Sequence, residues 1–345
     1  MKKFSFFSSI AKLIPISLLL LALSLSAWGL YMAEKWDSTP ENAKNLVELL
    51  IVPGQNASDV ASEFERLGIV TSAGEFSKWM VSLGIDRRIK PGIYRIHSGR
   101  PRDVAREFAE ASPEILEVRI LPGVLLEEVA SSLGRNDAEK LLLKALSNGE
   151  NFPARIRPLL PEKTSERMLL LAPETYSISP GDGCAEELVR MAAAIWSGQH
   201  ADDIPKDFKG REIADAGILA SIVQKEALVD SDRPLIAGVF KNRLDIDMPL
   251  QSCATVAHAW RLRGVKITNV SLDDVKIDSP FNTYLHKGLP PESIGLPSAN
   301  SWGAVLKPAS TDMLFFVAKT DGSHVFTRTY KEHLAAQKKI RKGEL

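Results

Sequence analysis

The sequence predicts an α+β fold carried behind an N-terminal membrane span. Three features point there: a long uncharged apolar run close to the N-terminus, strand–turn–helix units in the first third, and a helix-periodic middle that gives way to short strands toward the end.

Lys2, Lys3 and Lys12 precede an uncharged stretch over residues 13–33, which Glu34 closes. At a helical rise of about 1.5 Å per residue this run is long enough to cross the hydrocarbon of a bilayer. The lysines hold the tail, residues 1–12, in the cytoplasm and send the remainder across. Ser24 and Ser26 before Ala27 offer a small-residue cleavage site, but a cleavable signal has a shorter apolar core. The expectation is a single-pass protein of the cytoplasmic (inner) membrane, N-terminus inside, with the lipid bilayer as one partner and the rest of the chain periplasmic or otherwise extracytoplasmic. Residues 34–45 form a short polar linker that keeps the next domain near the membrane.

The chain of 345 residues has room for two or more domains. Lys plus Arg and Asp plus Glu number 43 each, so no global field attracts nucleic acid, and no aromatic-interleaved basic stripe suggests it. Cys184 and Cys253 are too few for a disulfide framework or a four-cysteine metal site. One bridge and two free thiols both remain open readings. His200, His258, His286 and His333 are scattered singly, so neither a metal nor a cofactor is expected.

Past the linker, Ile51-Val52-Pro53-Gly54 leads into Val60-Ala61-Ser62 and Phe64. At the same spacing Ile120-Leu121-Pro122-Gly123 leads into Val129-Ala130-Ser131 and Leu133. A looser echo runs from Tyr94-Arg95-Ile96 through Gly99 to Asp103-Val104-Ala105. Each reads as strand, turn and amphipathic helix. Such units cannot bury a strand face alone and are expected to pack together; chance similarity of the copies is the other reading.

The middle is helical by period: a segment after Asn136, then Glu187–Trp196, then Arg211–Val229, then a helix marked by Ile236, Val239, Phe240 and Leu244. Pro173–Gly183, rich in Pro, Gly, Ser and Thr, reads as irregular. Beyond Leu250 the chain reads as short loops until an apolar strand, Met313–Ala318, meets His324–Arg328 across the turn Asp321-Gly322.

Glu226 stands out within this pattern. Leu219, Ile222 and Val223 precede it by seven, four and three positions and share its helical face. Burial makes a carboxyl costly to ionise, and a proton held near neutrality is what a general acid needs. A helix-edge glutamate paired with Lys225 or Arg243 is the alternative.

The segments around it resemble a known family. Ala220–Glu226, then Val239-Phe240-Lys241-Asn242-Arg243-Leu244, Met248-Pro249-Leu250-Gln251-Ser252, Ser279–Tyr284, Gly288-Leu289-Pro290-Pro291, and Phe315–Ala318 with His324-Val325-Phe326 are similar, in this order, to the YceG-like family of endolytic murein transglycosylases. Upstream, Pro173-Glu174-Thr175-Tyr176 resembles that family's Pro-Asp-Thr-Tyr element. Lys90-Pro91-Gly92-Ile93-Tyr94 resembles the signature of its LysM-like subdomain.

The resemblance implies a small LysM-like βα subdomain over residues 46–112 and a mixed helix/strand YceG-like catalytic domain over residues 113–345. It implies cleavage within peptidoglycan glycan strands to leave 1,6-anhydro-N-acetylmuramoyl ends, with Glu226 acting as acid and then base. It also implies cooperation with the membrane-bound peptidoglycan synthesis machinery.

Among further candidates, Asn282 and Tyr284 suit N-acetyl groups and sugar faces, against a turn-satisfying amide and a core tyrosine. Gln251, Ser252 and Thr255 are candidate cleft donors. Arg243 is placed to pair with Glu226, to bind a substrate carboxylate, or to serve structure. Tyr176 lines the groove or the core. A hydrolase that uses water would need a second carboxylate, for which Asp230, Asp232, Asp278 and Glu174 are candidates.

The chain also departs from the family's pattern. Gln251-Ser252-Cys253-Ala254-Thr255-Val256 stands where the family has Gln-Ser-Asp-Pro-Thr-Val. Gln224, expected on an outer face, replaces a residue that is often acidic, Leu169–Ala172 stands in place of a Glu-Gly element, and Pro122 passes straight to Gly123 without a glutamate. These departures set a second expectation beside lytic activity: a peptidoglycan-binding protein of the same fold with impaired turnover.

Overall fold

The computed structural model describes residues 23–29, 31–32, 45–52 and 54–344. Of the expected span, residues 23–29 and 31–32 are helical; the rest of 13–33, the tail 1–12 and residues 34–44 of the linker lie outside the described residues. No helix among the described residues is long and apolar enough to cross a membrane. The chain divides into two compact units, the first ending at Ile115 and the second beginning at Leu116.

In the first unit, β1 (Leu46–Ile51) is followed by helices α1 (Ala57–Arg66) and α2 (Ala73–Ser82), then β2 (Gly92–His97) and α3 (Pro101–Glu110). The strands pair antiparallel, Leu46 opposite His97 and Ile51 opposite Gly92. Alternation turns Leu49, Ile51, Tyr94 and Ile96 inward onto Val60, Phe64, Phe76 and Phe108. Asn56 caps α1 in a reciprocal box with Asp59.

The Lys90–Tyr94 pattern has a local cause. Gly92 has φ +138°, and a Cβ there would lie 2.6 Å from the Cβ of Pro113. Tyr94 donates its hydroxyl back to the Lys90 carbonyl at 2.9 Å.

The second unit opens with β3 (Leu116–Arg119), α4 (Leu126–Ser131) and α5 (Ala138–Ser147), and three 3₁₀ turns follow. Then come β4 (Thr175–Ile178), α6 (Cys184–His200), α7 (Gly210–Glu226), α8 (Arg233–Asp245) and α9 (Cys253–Leu262). The unit closes with α10 (Ala299–Leu306), the hairpin β5 (Phe315–Ala318) and β6 (His324–Thr327), and α11 (Tyr330–Arg341). Helices and short antiparallel pairs are mixed, in keeping with an α+β class.

Several expectations need correction. Pro173–Gly183 is not wholly irregular, because β4 pairs antiparallel with β3, Tyr176 opposite Val118. The strand was hidden because its partner lies far away in the sequence. The strand–turn–helix copies do form as units, but they do not all share one core. Val60 and Val104 enter the core of the first unit, whereas Val129 packs with Leu142 and Trp196 in the second.

The stretch beyond Leu250 holds three helices that the apolar period did not reveal. α9 turns Thr255 and His258 inward among its buried residues, α10 is only 8 residues long, and α11 buries only Ala336. Finally, α7 stops at Glu226 rather than Val229. Ala227 is extended at φ −86°, ψ 119°, and Leu228 is left exposed.

Candidate functional site

Helix α7 delivers Glu226 as its last residue. Leu219, Ile222 and Val223 anchor this end in a core with Ile236, Phe240, Leu250 and Ile294. The carboxyl lies half-buried at the edge of that core and not in an apolar pocket. Its Oε1 accepts a hydrogen bond from the Ser252 hydroxyl and another from the Ala254 N–H at 3.4 Å. Among the described residues nothing bonds Oε2.

Those two donors belong to the N-terminus of α9. Ser252 is its N-cap, yet its side chain makes no capping bond; a serine there ordinarily accepts from the second or third amide of the helix. Glu226 takes that amide instead, from a different helix. A helix N-terminus presents free N–H groups, and Oε1 of Glu226 accepts one of them.

Around the carboxyl, Cys253 Sγ and Tyr284 Oη lie 3.2 Å apart. Burial, then the bond to Cys253, pushes the Tyr284 phenol up. Neighbouring protein atoms partly desolvate the Cys253 thiol, although the residue as a whole is exposed, and push it up; the same bond partly offsets this. Both groups are therefore protonated at neutral pH, and one of their two hydrogens is spent on the bond between them. Gln251 holds a left-handed backbone at φ 49°, and its N–H donates to the Thr283 carbonyl at 3.0 Å.

On the other side, Lys225 Nζ donates to the Gly123 carbonyl at 2.8 Å. Burial pushes its ammonium down first, with Arg261 adding to the effect. Gly123 N–H donates to Leu296 O at 2.7 Å. The Pro122-Gly123 turn is thus fixed to the helix end that carries Glu226.

The other expected site residues are employed differently. Asn282 is fully buried. Its amide donates to the Val275 and Ile277 carbonyls, both at 2.8 Å, and its oxygen accepts from Tyr284 N–H, so it ties a loop and has no hydrogen left for a sugar.

Arg243 is buried too and does not pair with Glu226; it donates to Leu314 O at 2.7 Å and Leu250 O at 2.6 Å. Thr255 is fully buried and bonds the Ser252 carbonyl. Tyr176 is a core residue whose hydroxyl donates to Ala172 O at 2.6 Å. In each case a backbone carbonyl takes the donor, three to seven residues away or, for Arg243 and Leu314, far off in sequence.

Gln224 also departs from expectation. It does not face outward: its oxygen accepts from Ser298 N–H at 3.0 Å and the Ser301 hydroxyl at 2.9 Å, joining α7 to α10.

Cys184 is buried and Cys253 exposed, and both are free, so the bridge reading falls. Asp230 is bonded to Arg233 and Asn300, and Asp232 to the His324 N–H and ring. Neither is bonded to Glu226.

Lys225, read from the sequence as a partner for Glu226, bonds the Gly123 carbonyl instead, and Thr283 has no role of its own in that reading. Thr283 sits between two flagged neighbours, Asn282 and Tyr284, and that position was its only signal.

The arrangement of a glutamate against a serine-capped helix, with a tyrosine loop beside it, rests on the same segments that carry the sequence resemblance. A model of the YceG-like family matches residues 49–339. The chain belongs to the YceG-like family. Within the YceG-like family it is 28% identical over 325 residues to an endolytic murein transglycosylase of Bacillus subtilis (strain 168), covering 90% of this chain and 89% of that one. It is 27% identical over 354 residues to an endolytic murein transglycosylase of Streptococcus pneumoniae serotype 2, covering 93% of this chain and 64% of that longer one. A crystal structure of a YceG-like protein from Listeria monocytogenes aligns with a TM-score of 0.50 at 26% identity, over 85% of this chain and 100% of that chain. These YceG-like relatives share the mixed helix/strand domain, and identities near this level mark the chain as a divergent member.

Proposed function

We propose that this protein is a membrane-anchored endolytic murein transglycosylase that cleaves the MurNAc–GlcNAc glycosidic bond of nascent glycan strands. The observation that carries the reading is the setting of Glu226, held by one oxygen at the head of α9 with its second oxygen unbonded among the described residues. The names of its relatives support the substrate class.

In the first half of the reaction, the Glu226 proton passes to the departing GlcNAc oxygen as the bond from C1 of MurNAc breaks and an oxocarbenium-like centre develops at C1 of that MurNAc. In the second half, the carboxylate takes the proton of the same sugar's C6 hydroxyl while O6 bonds to C1. The proton is restored, a 1,6-anhydro end forms, and no water is consumed.

A single carboxylate serves both halves. Asp230 is engaged with Arg233 and Asp232 with His324, so two of the four candidate second carboxylates are committed to other partners. The protonated Tyr284 and Cys253 are suited to hydrogen-bond the glycan beside Glu226.

In this reading residues 13–33 anchor the chain in the cytoplasmic membrane, and the βααβ unit that contains Lys90–Tyr94 is the LysM-like subdomain. The short linker keeps the cleft where the synthesis machinery releases new strands. Full-length protein in detergent, incubated with uncrosslinked glycan, is expected to release anhydro-ended fragments in mass spectra. Reducing ends would instead indicate a water-using hydrolase, and binding without products an impaired peptidoglycan-binding protein. Membrane fractionation of the full chain against one starting at residue 34 tests the anchor.

A further inference from the structure

The segment that holds Glu226 is itself gripped by two buried threonines. Ser252 N–H donates to Thr283 Oγ1 at 3.0 Å. Thr255 Oγ1 donates to the Ser252 carbonyl at 2.8 Å, and the two threonine hydroxyls lie 2.8 Å apart.

Each hydroxyl carries one hydrogen. That of Thr255 is used on the Ser252 carbonyl, which cannot donate, so the hydrogen of Thr283 must point to Thr255 Oγ1. A directed ring results: Ser252 N–H to Thr283, Thr283 O–H to Thr255, and Thr255 O–H back to Ser252 C=O. It clamps both polar groups of the Ser252 backbone. Thr283 N–H, at 3.4 Å from Thr255 Oγ1, braces it further.

Both threonines are sealed from solvent, at 0% and 1% exposure, so neither touches a glycan. The Ser252 hydroxyl is left outside the ring, and it is the group that donates to Glu226 Oε1.

We infer that Thr283 and Thr255 are positioning residues for Glu226: the ring fixes Ser252, Ser252 fixes Oε1, and Oε2 is thereby assigned as the oxygen that exchanges the proton with the glycan. A glutamate side chain has three rotatable bonds, and a clamp at one oxygen selects one carboxyl pose. Misplacement of a reacting group by about 1 Å lowers rate by about 10²-fold.

The inference rests on the lytic reading for its kinetic arm and on coordinates alone for its structural arm. In full-length protein, Thr283→Val is expected to lower kcat by about 10- to 100-fold with KM nearly unchanged. Thr283→Ser, which keeps the hydroxyl, is expected to restore most of it.

Thr283→Val also strands the Ser252 N–H and can lower folding yield. Ser252→Ala therefore provides the second variant: it leaves the ring whole, removes no capping bond, and is expected to show the same fall in kcat at an unchanged melting temperature. Crystal structures are expected to find the Glu226 carboxyl displaced in Thr283→Val and in place in Thr283→Ser.

A wild-type kcat in Ser252→Ala, a loss that Thr283→Ser does not restore, or an undisplaced Glu226 in Thr283→Val overturns the inference. Absence of anhydro products from the wild type sinks the lytic reading alone, and the displacement still decides the positioning role.

Discussion

Glu226 occupies, at the head of α9, the place that the Ser252 hydroxyl would ordinarily fill. Ser252 turns its hydroxyl onto Oε1 of Glu226, and Glu226 takes the Ala254 amide that a capping serine would bind. The end of one helix is thereby tied to the start of another through the reactive group itself, so packing of α7 against α9 and placement of the carboxyl are one event.

Glu226→Gln keeps an oxygen able to accept from Ser252 and Ala254 but removes the acid. Turnover is expected to fall by about 10²-fold or more, with the melting temperature and glycan binding preserved. Quantifying anhydro ends by mass spectrometry alongside thermal melts checks it; comparable activity in the variant excludes Glu226 as the acid.

Cys253→Asp returns the family's carboxylate to the first turn of α9, where the helix N-terminus favours negative charge. It also brings an acceptor to the Tyr284 hydroxyl, now bonded to the thiol. Initial rates on uncrosslinked glycan are expected to rise. An unchanged rate would show that Tyr284 positions the strand equally well against sulfur.

Asn282→Ala should act on stability rather than on substrate contact. It strips the partners from the buried Val275 and Ile277 carbonyls at a cost of about 1–3 kcal/mol. Denaturant unfolding is expected to show that loss, with KM of the folded fraction little changed. A raised KM at unchanged stability would return Asn282 to the list of sugar-binding residues.

Arg243→Met keeps most of the aliphatic length but leaves the Leu314 and Leu250 carbonyls without their donor. A loss of about 2–3 kcal/mol is expected in chemical denaturation, with the β5–β6 hairpin loosened because Leu314 immediately precedes β5. Faster amide exchange at Phe315–Ala318 is the companion measurement.

Acid should destabilise the fold through two buried histidines. Burial pushes His200 and His258 from 6.5 down to about 4. The unfolded chain therefore binds those protons first as the pH falls. Their contribution is complete above about pH 6.5 and is lost as pH falls toward 4. Melting temperatures are expected to decline across that window, and His200→Phe is expected to flatten the decline. A pH-independent melting temperature over the window would refute the assignment.

The sequence by itself determined the features that depend on near neighbours. The helical period placed Leu219, Ile222 and Val223 in a core and brought Glu226 to their face. The alternating residues and the Asp321-Gly322 turn marked the β5–β6 hairpin. All of these follow from backbone geometry within a few residues, which composition and spacing record.

The tertiary structure alone decided where the polar side chains point. For Asn282, Arg243 and Tyr176 the sequence left a cleft role and a structural role open, and Thr255 read as a candidate cleft donor; in the fold each donates to a backbone carbonyl. Thr283, unmarked in the sequence, became the link that orients Ser252. Strand β4 escaped notice because its pairing partner lies far away in sequence, and helix α9 because it buries Thr255 and His258 among its apolar residues.

The physical reason is common to these cases. A hydrogen bond is short and directional, so the identity of a donor fixes what it can do, but only the fold decides which acceptor comes within 3 Å of it. Spacing placed Glu226 at the edge of the core; the approach of α9 settled which of its two oxygens is held and which is left to act.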